Sequence, residues 1–496
     1  MSVLLILVSM TIAVQHLRFS FSISISSHTF RPFSFRTLGV QTSIFQARSE
    51  KIQKANRERQ TLFSNHHHQQ QQQMQLTMND MMGVERQVNE NRMEDDENKD
   101  TSVSTSFAKL VPSTKLDECG ERLRQGGLVA FPTETVYGLG CNALNSSAII
   151  KVFEAKERPL TDPLITHVTD NQVAFDLWEA DIDNSLEGKA LQSLCKQFWP
   201  GPLTLVAKAS PKVPPILVAN TGFCACRSPR HPISIALINA AKVPIAAPSA
   251  NKFGHVSPTR SSHVWHDLQH EDVWILEEEL EEENTASSSC EVGVESSVLK
   301  VEMCGENERG KVTLLRQGAI SLQNIEQCLE QAGLGKNFEV IALTKSATDE
   351  KVAHVAPGQT IRHYSPDIPS YILSGSLCDS ASKPISHKDE GFLLKSVLID
   401  FGGRIKAWEP LALEYRDLSE NANSAEATKH VFETLRWAEK IEGANQILFP
   451  EIADEGFPEN TKLNQTNCDS HNALILALKD RLTRAASGVV IHSLDK

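Results

Sequence analysis

Several short stretches place cations and hydroxyls where they could handle an anionic substrate. In Lys156-Glu-Arg158-Pro-Leu-Thr-Asp162-Pro-Leu-Ile-Thr-His167, two cations close a helical pattern and two prolines stiffen the chain that follows. Cations held together in this way suit a polyphosphate, although at a helix C-terminus they also complement the macrodipole. His167 falls in an apolar run, where a histidine is ordinarily a core residue. Phe131-Pro-Thr-Glu-Thr135-Val-Tyr-Gly-Leu-Gly140 sets two threonines at the end of a buried strand, and open α/β sheets bind small ligands at such ends. Arg227-Ser-Pro-Arg-His-Pro232, Ala247-Pro-Ser249-Ala-Asn251 and Ser257-Pro-Thr259 carry small groups able to hydrogen-bond a substrate, or simply to form turns. Gly293-Val-Glu-Ser296-Ser297 and Leu315-Arg316-Gln-Gly318 complete the set. Gly138, Gly140 and Ala143 fit the dinucleotide pattern GxGxxG/A only weakly, because Pro132 to Tyr137 separate them from the strand. No Walker loop, HExxH, GxSxG or kinase signature is present.

The elements that must carry these residues read as α/β. A helix begins near Ser113 or Thr114 and stops at Gly126-Gly127, and the strand Leu128–Phe131 follows. A second helix, capped by Asn145 or Ser146, runs to Lys156. Further strands are read at 164–168, 203–207, 245–247 and 297–299. Beyond a polar stretch with Pro357-Gly358 and Pro366, strands at 396–400 and 446–449 and helices at 424–440 and 472–486 form a smaller α/β unit. No internal repeat is visible.

The chain has 496 residues, 40% hydrophobic and 22% charged, with a formal charge of −13. That balance excludes a protein that coats nucleic acid through bulk electrostatics, though not local basic patches. No apolar run reaches the roughly 18–20 residues of a membrane span, which excludes an integral membrane protein. Ten cysteines at irregular spacing, with no paired CxxC, read as reduced core thiols. Residues 1–49 hold no Asp or Glu but have spread arginines, the composition of an organellar transit peptide, with a secretory signal or an unstructured start as rivals. Residues 50–108 include His66-His67-His68 and Gln69 to Gln73 and read as a disordered polar linker. A start at Met74, Met78, Met81 or Met82 would remove the leader, so the expected location is cytoplasmic, organellar (mitochondrion or plastid), or both.

In this order the motifs resemble the YrdC family, specifically its longer threonylcarbamoyl-AMP synthases with a second domain. FPTETVYGLG, KxRP followed by PL and His167, RxPxHP, PSAN with SPT, GVESS and LRQG carry the likeness, and Pro357 to Pro366 resembles the family's PGxxxxHYxP linker. The resemblance implies a YrdC-like twisted mixed sheet with helices over 109–334, a linker over 335–369, and a small Rossmann-like α/β domain over 370–496. It also implies ATP-dependent joining of L-threonine and bicarbonate with release of pyrophosphate. A separate transferase would then use the product on tRNAs reading codons that begin with A.

Carried over by motif, Lys156 and Arg158 would be catalytic and contact ATP together with Asp162, Phe223, Asn251, Thr259, Arg316 and Tyr364. Thr135, His167, Arg227, Ser249 and Ser296 would hold threonine. Mg²⁺ would accompany ATP, with no protein ligand assigned, and no organic cofactor is expected. Contact with tRNA would be weak or indirect, and no membrane partner is expected. Asp162 stands where the family has Asn, adding negative charge near the phosphates. Phe253 is bulkier than the small residue of shorter members, and an acidic insertion from Glu277 to Glu283 replaces a short turn. An RNA-binding module, a carbamoyl-transferring maturation protein and a butanone-phosphate synthase of similar fold are the competing readings. The acidic balance, the absence of zinc-finger regions and the motif order respectively oppose them.

Overall fold

Leu128–Phe131 (β2) shows why the architecture is layered. All four residues are buried: Leu128 and Ala130 enter one core while Val129 and Phe131 enter another. A strand covered on both faces needs a continuous apolar run, as parallel α/β sheets do. The computed structural model describes residues 107–278, 290–305, 308–343, 363–381, 386–452 and 465–494. The expected leader over 1–49, the polar stretch through 106, most of the acidic insertion and Pro357–Arg362 lie outside these residues.

Among the described residues the large sheet has eleven strands. They are β1 (Lys109–Pro112), β2, β3 (Gly138–Asn142), β4 (Ile165–His167), β5 (Leu203–Lys208), β6 (Phe223–Arg227), β7 (Ile245–Ala246), β8 (Val273–Glu277), β9 (Ser297–Glu302), β10 (Gly310–Arg316) and β11 (Phe338–Ala342). Their order is β1-β8-β2-β3-β7-β4-β6-β5-β9-β10-β11, with parallel and antiparallel pairs mixed as expected. Gly140 lies in β3, antiparallel to β2, where a Cβ would stand 2.8 Å from the Phe131 ring and 2.9 Å from Ile245. The glycines thus serve strand packing and not a phosphate turn, and the dinucleotide alternative falls. The Leu116–Arg124 helix is preceded by a 3-10 turn at Ser113–Lys115, with no side-chain cap. Asn145 caps the Ser146–Lys156 helix by accepting from the Ala148 N–H.

The expected linker does not begin at 335. Phe338–Ala342 pairs in parallel with β10, and Phe338 is buried in the core of the large sheet. The smaller sheet is all parallel, ordered β14-β13-β15-β12-β16, with β12 at Ser370–Leu373, β13 at Ser396–Asp400, β14 at Glu414–Asp417, β15 at Gln446–Pro450 and β16 at Val490–Ile491.

One apolar cluster joins the two sheets' surroundings. It unites Val136, Val256 and Val294 with Tyr364, Phe432 and Leu478. Gly293, at φ +72°, passes so close to the Ser424–Ala438 helix that a Cβ would stand 2.3 Å from the Thr428 carbonyl oxygen. Arg436 on that helix is buried and pairs with Asp267 at 2.9 Å. Cys119, Cys141, Cys195, Cys224, Cys226, Cys290, Cys304, Cys328 and Cys378 are free thiols, buried except for Cys304. Among the described residues no helix is long and apolar enough to cross a membrane.

Candidate functional site

The site forms where several strands end. The parallel register of β4 and β6 sets His167 opposite Arg227. The turn after β2 brings Thr133 and Thr135 beside them, and β10 ends at Arg316. These ends meet the segments Ala247–Ser249 and Glu295–Ser296 around a cavity of about 50 Å³, and His363 and Tyr364 of the linker also line it.

Each buried cation is held by preset partners. Arg227 donates from Nη1 to Thr135 Oγ1 (2.9 Å) and from Nε to the Gly201 carbonyl (3.3 Å), and Nη2 lies 2.8 Å from Glu134 Oε1. Burial alone would raise the Glu134 pKa, but the Arg227 charge and hydrogen bond outweigh it and hold the carboxyl below its usual range. Arg158 Nη2 lies 2.9 Å from Asp162 Oδ2, and the guanidinium also donates to the carbonyls of Asp162 and Pro163. Arg316 donates to the carbonyl and hydroxyl oxygens of Ser296, both at 3.1 Å, and the same hydroxyl lies 2.7 Å from Thr204 Oγ1. Burial and then the Arg227 charge push His167 down to about 3, so it is a neutral imidazole at any physiological pH. Its Nδ1 is buried with no hydrogen-bond partner.

Tyr364 roofs the cavity. Its backbone is left-handed, at φ +61°, a conformation few non-glycine residues adopt and one the surroundings must enforce. Its ring centroid lies 5.4 Å from Phe432 and 4.5 Å from His363, and Arg481 stands 5.1 Å from the ring. The Ser365 N–H donates to the Gly254 carbonyl at 2.9 Å. Phe253 meets His363 edge-on at 5.5 Å, so its bulk supports the roof.

Eight of the expected residues therefore line one cavity: Thr135, Arg158, His167, Arg227, Ser249, Ser296, Arg316 and Tyr364. Lys156 is close but turned away. Its ammonium, fully buried, donates to the carbonyls of Ser249 (2.6 Å) and Asn251 and so ties down the PSAN loop. Desolvation, then the Arg158 charge, drive its pKa well below normal. Asp162 does not line the cavity either, because its carboxylate faces Arg158. Asn251 donates to the carbonyls of Lys252 and His255, leaving its buried Oδ1 without a partner. Thr259 lies against His263. Phe223 opens the strand that Arg227 closes, roughly 13 Å away at about 3.3 Å per residue; its ring holds Lys300 at 3.8 Å, remote from the cavity. Of the acidic insertion, Glu277 closes β8 and Glu278 lies 3.3 Å from His231.

Three contributors were not singled out from sequence, Glu134, Glu295 and His363, while Thr133 was read only as one of two hydroxyls at the strand end. All lie inside the quoted motifs. Glu295 accepts from Ser257 (2.5 Å) and from Arg481 of the Gln465–Ala485 helix (2.8 Å). Only the fold reveals that last partner.

A mixed α/β domain whose strand ends gather buried guanidinium and hydroxyl groups beside a linker defines a site with the donors that an anion would require. A family model described as telomere recombination, covering the Sua5, YciO and YrdC proteins, matches residues 121–318, and one described as the threonylcarbamoyl-AMP synthase C-terminal domain matches 320–487. A threonylcarbamoyl-AMP synthase of Saccharophagus degradans is 36% identical over 147 residues, 29% of this chain and 72% of that one. One of Bacillus subtilis is 38% identical over 255 residues, 51% of this chain and 65% of the relative. With 58% and 66% covered in the Schizosaccharomyces pombe and Pyrococcus abyssi relatives, the chain spans about three fifths of the length of these longer proteins. The crystal structure of P. abyssi Sua5 with L-threonine superposes with a TM-score of 0.61 at 29% identity, covering 78% of this chain and 99% of that one. The chain belongs to the YrdC family, in its two-domain form.

Proposed function

We propose that the chain makes threonylcarbamoyl-AMP from L-threonine, bicarbonate and ATP, releasing pyrophosphate, and supplies it to a transferase that modifies tRNAs reading codons that begin with A. The observation that carries this reading is the convergence of Arg158, Arg227 and Arg316 with the hydroxyls of Thr133, Thr135 and Ser296 on one buried cavity. The threonine-bound relative and the names of the matched synthases support it.

The chemistry joins two anions. A carbamate formed on the threonine amino group must attack the α-phosphorus of ATP, and fixed guanidinium groups lower that repulsion without reorganising during the reaction. Arg158 and Arg316 are the groups assigned to the phosphates. Lys156 acts one step back, holding the Ser249 and Asn251 carbonyls so that the PSAN loop keeps its shape. Threonine is assigned to Thr135, His167, Arg227, Ser249 and Ser296. Buried polar groups that pair with its hydroxyl discriminate against valine, which would leave them unpaired. The donor set fits a nucleotide carrying its own magnesium: the cavity carboxylate, Glu295, is engaged by Ser257 and Arg481, while hydroxyls and cations face inward. Bound Mg²⁺ would screen phosphate charge. The roof excludes water from a carbamate and a mixed anhydride that both hydrolyse readily.

The test incubates the full chain with ATP, Mg²⁺, bicarbonate and single amino acids and follows pyrophosphate. Threonine is expected to stimulate release and valine to leave it at background. No response to threonine overturns the reading. The basic leader supports organellar delivery and a start at Met74 or later supports a cytoplasmic form; a fluorescent fusion of residues 1–73 separates the two.

A further inference from the structure

A second concavity, of about 560 Å³, opens beside the roof and is lined by Lys252, His255, His266, Asp267 and Asp367, among others. His255 stands there between carboxylates from two parts of the chain. Its Nδ1 is 2.8 Å from Asp267 Oδ2, and its Nε2 is 3.1 Å from Glu439 Oε2. Asp367, just past the roof, completes a cluster in which ligand atoms of His255, Asp367 and Glu439 all lie within 4.8 Å of one another.

Two observations distinguish this cluster from a surface ion pair. First, Glu439 Oε1 is buried without a hydrogen-bond partner, on a side chain only 4% exposed. Leaving such an oxygen unpaired in a buried place is unfavourable, and a cation would offset that. Second, Asp267 is gripped by Arg436 at 3.0 and 2.9 Å. It can therefore fix the His255 ring, accepting from Nδ1–H while Nε2 faces the cluster, which is how metal-binding histidines are commonly oriented.

We propose that His255, Glu439 and Asp367 bind a divalent transition-metal ion of the zinc class, with Asp267 orienting His255 and water filling the open side. An imidazole among the ligands selects such an ion over the all-oxygen preference of Mg²⁺, so this site is separate from nucleotide-borne magnesium and independent of the synthase reading. The ion would bind the PSAN loop, the linker and the Ser424–Ala438 helix region at one point beside Tyr364. It would be a structural tie for the roof.

Co²⁺ is the probe. The sequence also holds His66-His67-His68, so the full chain is first changed at His66→Ala, His67→Ala and His68→Ala, stripped with chelator and titrated. It is expected to take up a single equivalent with a visible ligand-field spectrum of low-coordinate Co²⁺, displaced by Zn²⁺. Asp367→Asn, at an exposed position, and Glu439→Gln are each expected to weaken binding about 10-fold or more. Melting of both variants in chelator shows that they are folded. No uptake of Co²⁺, or uptake unchanged in both variants, overturns the proposal and leaves a proton as what joins His255 to its carboxylates.

Discussion

Arg481 bridges the last long helix and the cavity wall, and its replacement gives a calculable effect. Its side chain is fully buried: Nε lies 2.8 Å from Glu295 Oε2, Nη2 donates to the Gln317 carbonyl at 3.0 Å, and Nη1 lies 2.6 Å from Asp480. Arg481→Met keeps most of the stem volume but leaves the Glu295 carboxylate, 8% exposed, with the Ser257 hydroxyl as its neutral partner. Breaking a buried pair from one side costs about 3–5 kcal/mol, because an uncompensated charge remains. At the low-end sensitivity of large folding units, about 2 °C per kcal/mol, the melting temperature should fall by roughly 6–10 °C. The double variant Arg481→Met, Glu295→Gln removes the stranded charge and is expected to recover about 2 kcal/mol of that loss. Thermal and urea unfolding of the four proteins in the cycle measure it. If Arg481→Met costs less than about 1 kcal/mol, or if the two single effects simply add in the double variant, the Glu295 charge is not what Arg481 balances.

Two further outcomes follow from the same electrostatics. Asp162→Asn keeps the side chain's shape beside Arg158 while removing the charge 2.9 Å from its guanidinium; the KM for ATP should drop about fivefold, and an unchanged or higher KM in pyrophosphate-release kinetics refutes the assignment of Arg158 to phosphate. His167 has its pKa pushed from 6.5 to about 3 by burial and then by Arg227. Its contribution to stability is therefore complete above pH 6.5 and is lost as pH falls toward 3, by up to about 1.4 kcal/mol per pH unit. His167→Gln should flatten the loss of stability between pH 6 and pH 4 in urea titrations, and parallel slopes in parent and variant would show that the imidazole is not held neutral.

The elements legible in the sequence are those whose apolar pattern is unbroken. Leu128–Phe131 and Ser396–Asp400 stand where expected, and Asn145 caps as its type suggests. Gly138–Asn142 and Phe223–Arg227 escaped because glycine, alanine and cysteine carry little strand preference; tertiary pairing with β2 and β5 makes them strands. The linker boundary was misplaced because Phe338–Ala342 is short and follows a turn, and only its register with β10 assigns it to the large sheet. At the site, residue type and motif located the arginines and hydroxyls. They could not tell that Lys156 points at backbone carbonyls, that Asp162 is answered by Arg158, or that Phe223 sits at the far end of its strand. Such facts depend on side-chain direction, which spacing along the chain does not encode.

On the proposed function, the seat of Tyr364 beside the cavity bears on throughput. A space of about 50 Å³ lined in part by His363 and Tyr364 holds a few water molecules, whereas small-molecule pockets commonly measure ~300–1,000 Å³. A nucleotide needs more room than this, so on the proposed function the linker around Tyr364 would shift to admit one and again to release the product. The energy that seats Tyr364 against Phe432 and Arg481 is then also part of a barrier to exit. On that reading, tightening the seat would lengthen the residence of a fragile product and slow the next cycle by the same interactions, which would make the linker a timer as well as a cover.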